Sequence, residues 1–314
     1  MKGFDPAEYV KAVCTTQVDT FYLRSCLAVL RARTLDTHAQ ALISSVAATV
    51  GSPDVPPMLQ GPDALTIDIP VTDACNLQCE ACTHRASLLK NAKPRPIEKI
   101  EEDLRELARL SSSLPLTVYL LGGEPLLHPA LPEIVRLAHA ILPTARRCIT
   151  TNMVLYHNGS ALEEAMLETH TVLRYSDYEA LRPAVAPKLK RAATAGLEVE
   201  LSGESPALFN FYKLTEEASQ CIATHRYCRI QFCPVLRDGE IWLCGHFGYT
   251  PAVNEAYGTH VPISKYDSVK LQDLCSLDEL LVLLSMPHPG CKHCSVEIGK
   301  KWRCKPPSRE DFLQ

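Results

Sequence analysis

Cys75, Cys79 and Cys82 are separated by three residues and then by two. Thiolates that close together suit a soft metal centre, either an iron–sulfur cluster or zinc. Positions i, i+4 and i+7 also share one face of a helix, where cysteine packs as a small hydrophobe. Context favours the metal. The triplet follows a largely apolar run, residues 65–71, that reads as a buried strand, and Asp73 just before it and Asn76 within it are turn formers. Further on, a β-rich run ends in Gly122, Gly123, Glu124 and Pro125. Paired glycines allow close backbone approach to a ligand, and a glutamate presented there can accept charge-assisted hydrogen bonds from an ammonium group. Alone, such a sequence is more often an ordinary turn.

A second set of thiols lies towards the C-terminus. Cys228 and Cys233 precede residues 234–243, whose Asp238-Gly239 pair signals a hairpin, and Cys244 closes it. Cys291 and Cys294 form a CxxC knuckle, and Cys304 follows. Chelating pairs of this kind suit a four-cysteine zinc site or an iron–sulfur cluster. Five thiols for four ligand positions leave one spare, with Cys304 a further free candidate.

The elements that must position these residues alternate. Strand-like runs at 65–71, 117–121, 147–151, 171–174 and 197–201 enclose helical stretches at 97–110, 131–141, 160–168 and 186–195. This order implies an α/β fold with a parallel sheet, crossover helices and chemistry at the carboxyl ends of the strands. A sixth strand is expected at 209–214, and a tail helix at 276–285. Residues 7–13, 21–33 and 39–50 repeat apolar residues at helical spacing and form an N-terminal helical extension, a plain appendage by default. The expected division is 1–60, 61–220 and 221–314.

The CxxxCxxC loop after the first strand and GGEP after the second resemble the radical S-adenosylmethionine (SAM) superfamily. That resemblance implies a partial (β/α)6 barrel and a [4Fe–4S] cluster on Cys75, Cys79 and Cys82. It also implies SAM held by Gly122, Gly123, Glu124 and Pro125, with Asn152 and Ser176 as further contacts. One departure concerns the residue before the third cysteine, often aromatic in this superfamily and here Ala81. His84 or another strand-end side chain is the expected substitute. The tail resembles a twitch or SPASM extension, whose glycine-to-cysteine interval Gly239 and Cys244 keep. This implies a second, auxiliary [4Fe–4S] cluster drawn from Cys228, Cys233, Cys244, Cys291 and Cys294.

The activity implied is hydrogen abstraction from a small substrate by a 5′-deoxyadenosyl radical, with a flavodoxin- or ferredoxin-type electron donor. The chain resembles aminoglycoside epimerases and aminocyclitol dehydrogenases. Epimerisation of a sugar or aminocyclitol in antibiotic biosynthesis is the leading expectation, with Cys304 or Cys233 as hydrogen donor. Dehydrogenation needs no donor thiol. A ribosomal-peptide maturase and a non-enzymatic zinc protein are further alternatives.

The bulk numbers agree. The chain has 314 residues, 46% of them hydrophobic and 22% charged, as in a globular protein. A formal net charge of −4 without a basic stripe argues against a nucleic-acid partner and is compatible with a cationic substrate. No secretory-signal core or membrane-spanning run is evident, so a cytoplasmic location is expected. In that compartment, clustered members of the 14 cysteines point to metal rather than to disulfides.

Overall fold

The computed structural model describes residues 1–55, 62–89, 92–202, 209–218, 225, 228 and 230–314. Its centre is an eight-stranded sheet in the order β5-β4-β3-β2-β1-β7-β8-β9. Strands β1 (Leu65–Thr72), β2 (Leu116–Gly122), β3 (Arg146–Thr151), β4 (Val172–Tyr175) and β5 (Val199–Leu201) run parallel. Their crossovers are α4 (Ile97–Ala108), α5 (Leu131–Ile141), α6 (Ala161–Thr169) and α7 (Arg182–Thr194). The result is the expected α/β architecture, an open parallel sheet of partial-barrel type.

Period-two patterning sets the two faces of the sheet. In β1, Leu65, Ile67, Ile69 and Val71 are buried in the main core, whereas Thr66 and Asp68 point to the other side. Ile100, Leu104 and Leu107 of α4 join that core, as do Ile134, Val135 and Ala138 of α5.

The sixth strand differs from expectation. Residues Phe209–Leu214 do form a strand, β6, but it pairs antiparallel with β10 (Cys294–Lys300) in a separate two-stranded sheet. The sixth parallel strand is instead β7 (Val235–Arg237), which lies beside β1 through Asp68 and Val235. Strand propensity marks a segment as extended but says nothing about its partner; register is decided by what holds the strand in place. Here Asp103 of α4 accepts hydrogen bonds from the backbone N–H groups of Asp238 and Gly239, while Arg95 pairs with both Asp103 and Asp238. The turn itself follows its Asp-Gly signal, with positive φ at both residues, and leads into β8 (Glu240–Trp242), flanked in turn by β9 (Ser268–Lys270).

The N-terminal helices α1 (Pro6–Val13), α2 (Gln17–Arg31) and α3 (Thr37–Val50) pack into the same core as the sheet and α9 (Leu277–Ser285), the expected tail helix. Tyr9 donates to the carbonyl of Pro287, the N-terminal ammonium pairs with Glu279, and Lys292 donates to the carbonyl of Ala12. The division points expected at 60 and 220 fall outside the described residues. No helix among the described residues is long and apolar enough to cross a membrane.

Candidate functional site

The loop after β1 and the turn after β2 are built against each other. The N–H of Gly123 donates to the carbonyl of Thr72 at 2.8 Å, and that of Glu124 to the carbonyl of Ala74 at 2.8 Å. A Cβ on Gly122 would stand 2.0 Å from the Thr72 carbonyl oxygen, and one on Gly123 2.3 Å from that of Ala74. The glycines therefore admit the backbone leading into Cys75, a role the sequence reading had given to ligand approach alone. Pro125 opens a short 3-10 turn, and the Glu124 side chain accepts from the N–H of Leu126 within it.

Glu124 is only 1% exposed. One carboxylate oxygen accepts from Thr151 Oγ1 at 2.6 Å and from the Leu126 N–H, and the other accepts from the Asn152 N–H at 2.9 Å. Burial nevertheless raises its pKa, and no cationic side chain pairs with it among the described residues. A buried carboxylate without a counter-charge fits an ammonium ligand. Asn152 also donates its side-chain amide to Asn76 Oδ1 at 2.8 Å, tying the end of β3 to the cysteine loop. Ser176 follows β4, and its N–H donates to the Thr151 carbonyl.

The three loop cysteines are half-buried and close enough to act on one another's charge. Burial first, and then the neighbouring sulfurs, push Cys75 up to about 11 and Cys79 up to about 12. Among the described residues no three His, Cys, Asp or Glu side chains converge tightly enough to share one metal ion. Three thiolates presented by one loop are a soft donor set that suits an iron–sulfur cluster or zinc. An iron cluster would relieve the buried thiolates of their mutual repulsion.

Two aromatic residues that sequence reasoning missed cover this loop. Trp302 stacks on Tyr178 with centroids 4.4 Å apart, and the pKa of the Tyr178 hydroxyl is raised by burial and by Cys79, Cys82 and Cys75. The Trp302 indole N–H makes no hydrogen bond among the described residues but lies near enough to the Cys79 sulfur to oppose the rise in its pKa. The segment is held by a backbone bridge between Cys79 and Cys304 and by the Glu80 N–H donating to the Arg303 carbonyl. Cys304 is exposed and belongs to the neighbourhood of the first set. His84 faces Tyr249, and burial pulls its pKa down to about 4. Trp302 is one of two tryptophans in the chain and stands two residues before Cys304, a signal that only hindsight on the bridge makes legible.

The tail thiols also come together. Gly245 donates its N–H to the Cys233 carbonyl at 2.9 Å, so the β7–β8 hairpin brings the Cys233 and Cys244 segments side by side. Burial raises the pKa of Cys228 to about 12 and drives that of Cys294 well above its usual range, with further upward pressure from Cys244 and Cys291 in both cases. Burial also raises the pKa of Cys233, but its foremost charged neighbour is Asp68, ahead of Cys244 and Cys228. His288 lies close to Cys244 and Cys291 and pairs with Asp267 at 2.6 Å. Burial alone would favour neutral imidazole; Cys291 and Asp267 reverse that and raise its pKa.

The sheet face beside Cys233 carries Asp68, Tyr119 and Arg174. The Arg174 guanidinium stacks over the Tyr119 ring at 4.5 Å. Neither Asp68 nor Arg174 makes a side-chain hydrogen bond among the described residues, and burial, opposed by Arg174, raises Asp68 to about 7.

Comparison with known proteins agrees with this geometry. Residues 69–173 match the family model described as Radical SAM superfamily, and this segment is a radical SAM domain. The chain is 30% identical over 221 residues to a GTP 3′,8-cyclase of Chlorobaculum tepidum, covering 62% of each protein. It is 34% identical over 130 residues to a GTP 3′,8-cyclase of Streptomyces coelicolor, covering 41% of this chain and 37% of that one. The chain thus spans about three fifths of the first of these relatives. Among solved structures it is similar to BtrN in complex with AdoMet and 2-DOIA, at 15% identity and a TM-score of 0.44 over 75% of this chain and 94% of that one. It is also similar to Streptococcus suis SuiB bound to S-adenosylmethionine, at 18% identity and a TM-score of 0.36 over 45% and 35%.

Proposed function

We propose that the protein is a two-cluster radical SAM enzyme that epimerises a small polar substrate, such as a sugar or aminocyclitol, with Cys233 as hydrogen donor. The carrying observation is the different surroundings of the tail thiols. Cys228, Cys244, Cys291 and Cys294 act on one another, whereas Cys233, though beside Cys244 and Cys228, is acted on most strongly by Asp68 on the sheet. Four ligands complete a cubane and leave Cys233 as the spare thiol.

Cys75, Cys79 and Cys82 would hold the catalytic cluster, leaving one corner open to SAM, and Glu124 with the 122–123 backbone would receive the methionyl ammonium. With its cluster, SAM supplies the 5′-deoxyadenosyl radical that takes a hydrogen atom from the substrate. Asp68 and Arg174 offer opposite charges to the substrate's polar groups and fix its orientation on the face that Cys233 also reaches. Cys233 then gives the hydrogen atom of its thiol to the substrate carbon from the opposite side. Each turnover takes two electrons from an external flavodoxin- or ferredoxin-type donor, one for the reductive cleavage of SAM and one that, with a proton from solvent, restores the thiol. The substrate is neither oxidised nor reduced overall.

Cys233→Ala in the anaerobically reconstituted full chain tests this reading. The variant should keep the iron and sulfide of both clusters and still form 5′-deoxyadenosine, but yield no epimer. Wild type in deuterated water should place one deuterium at the inverted carbon. Loss of tail iron in the variant would make Cys233 a ligand instead, and a ketone two hydrogens lighter without deuterium would establish the dehydrogenase alternative. The 30% identity to a GTP 3′,8-cyclase favours a second reading, radical cyclisation of a purine nucleotide. GTP-stimulated 5′-deoxyadenosine formation with a cyclised nucleotide product would select it.

A further inference from the structure

Arg85 is the largest side chain among those most completely buried, with 0% exposure, and no carboxylate pairs with it among the described residues. A guanidinium removed from water without an anion is costly, so its counter-charge must come from elsewhere. Its hydrogen bonds go to neutral groups that reach in two directions. Towards the barrel, Nη1 donates to the Cys82 carbonyl at 3.3 Å. Towards the tail, Nη2 donates to the Tyr212 carbonyl at 2.9 Å and meets the His246 ring at 3.0 Å. Tyr212 lies on β6, opposite the β10 strand that begins at Cys294, and His246 follows Cys244 by two residues. The guanidinium carbon sits 4.3 Å from the Phe312 ring centroid, which leaves the charge stacked but not neutralised, and Nε has no partner. The groups that act electrostatically on this cation are, in order, Cys82, Cys294, Tyr257 and Cys244.

Two sets of thiolates on either side of one unpaired cation account for what the hydrogen bonds do not. A cubane carrying cysteine thiolates is anionic and becomes more so on reduction, so a fixed positive charge nearby in a poorly screened interior favours the reduced form. We propose that Arg85 is a shared counter-ion of the catalytic and auxiliary iron–sulfur clusters, holding up the reduction potential of both. This rests on the two-cluster reading above. Arg85 is a positioning residue in this scheme: it touches neither SAM nor substrate and acts through the electrostatic field at the cluster ligands.

The test compares wild type, Arg85→Gln and Arg85→Lys as reconstituted full-length protein, without substrate. Iron and sulfide are counted, and each cluster's EPR signal is followed in a potentiometric titration. Arg85→Gln should move both midpoints to more negative potential by at least a tenfold change in the reduction equilibrium, about 59 mV for a one-electron couple. Arg85→Lys keeps the charge and should hold both within about threefold of wild type, or about 28 mV. Two clusters with unmoved midpoints in Arg85→Gln would overturn the role of Arg85 while leaving the two-cluster reading intact. Iron for one cluster only in wild type would overturn both. If Arg85→Gln does not fold, Arg85→Lys decides: midpoints lowered as far as tenfold would show that contact geometry, not charge, is what matters.

Discussion

The two cysteine sets are built on different principles. Cys75, Cys79 and Cys82 come from one continuous loop, and the loop is backed by peptide: the carbonyls of Thr72 and Ala74 press onto glycine with no room for a Cβ. The tail thiols come from three separated segments, and much of their backing is side chain, with Gly290 against the Phe247 ring and His288 against Cys244 and Cys291. A loop fixed by main-chain contacts has few ways to relax, whereas side chains can repack. The first set should therefore tolerate less change in its surroundings than the second.

The sharpest break between the sets comes from removing the first. Replacing Cys75, Cys79 and Cys82 together by Ala should abolish 5′-deoxyadenosine formation while tail-bound iron and its spectrum persist. Continued SAM cleavage would dissolve the distinction.

The sheet face beside Cys233 gives the next largest effect. Asp68 carries a carboxyl raised to about 7 by burial, against about 4 in the unfolded chain. The native state thus holds the proton more tightly. Its stabilisation is complete below about pH 4, declines as pH rises and is gone above about pH 7. Asp68→Asn should leave stability unchanged below pH 4 and raise it by up to about 4 kcal/mol above pH 7. Denaturant titrations at several pH values read the difference, and a gain independent of pH would contradict the assignment.

Backing by peptide and backing by side chain can be compared directly. Gly123→Ala should cost about 3 kcal/mol, because the Ala74 carbonyl cannot move without displacing the cysteine loop. Gly290→Ala meets a ring that can turn and should cost about 1 kcal/mol. Equal shifts in the urea midpoint would remove the contrast. The smallest effect is expected at the imidazole behind the tail thiols. His288→Asn should speed loss of tail iron to a chelator about tenfold and leave the first set's iron untouched.

How much of this was legible followed from how local each feature is. The five parallel strands and their helices appear close to where periodicity placed them, because alternation in β1 or the apolar stripe of α4 is written within a dozen residues. The CxxxCxxC loop and the Gly-Gly-Glu-Pro turn were readable for the same reason. The partner of β6 was not, nor the insertion of β7 beside β1, since an Arg95–Asp103–Asp238 clasp joins residues far apart in the chain. Trp302 over Tyr178 and the packing of the N-terminal helices against the tail have the same character.

Composition and spacing alone determined that this chain is an α/β protein with one contiguous thiol loop, a glycine-backed glutamate and a surplus of sulfur near its end. Tertiary structure decided which tail thiol lies nearest Asp68, which aromatics cover the loop and where an arginine without a carboxylate partner among the described residues is buried. Side-chain periodicity and turn chemistry act over a few bonds and leave their mark on neighbouring residues. Burial and charge act through space, between groups that only the folded chain brings together.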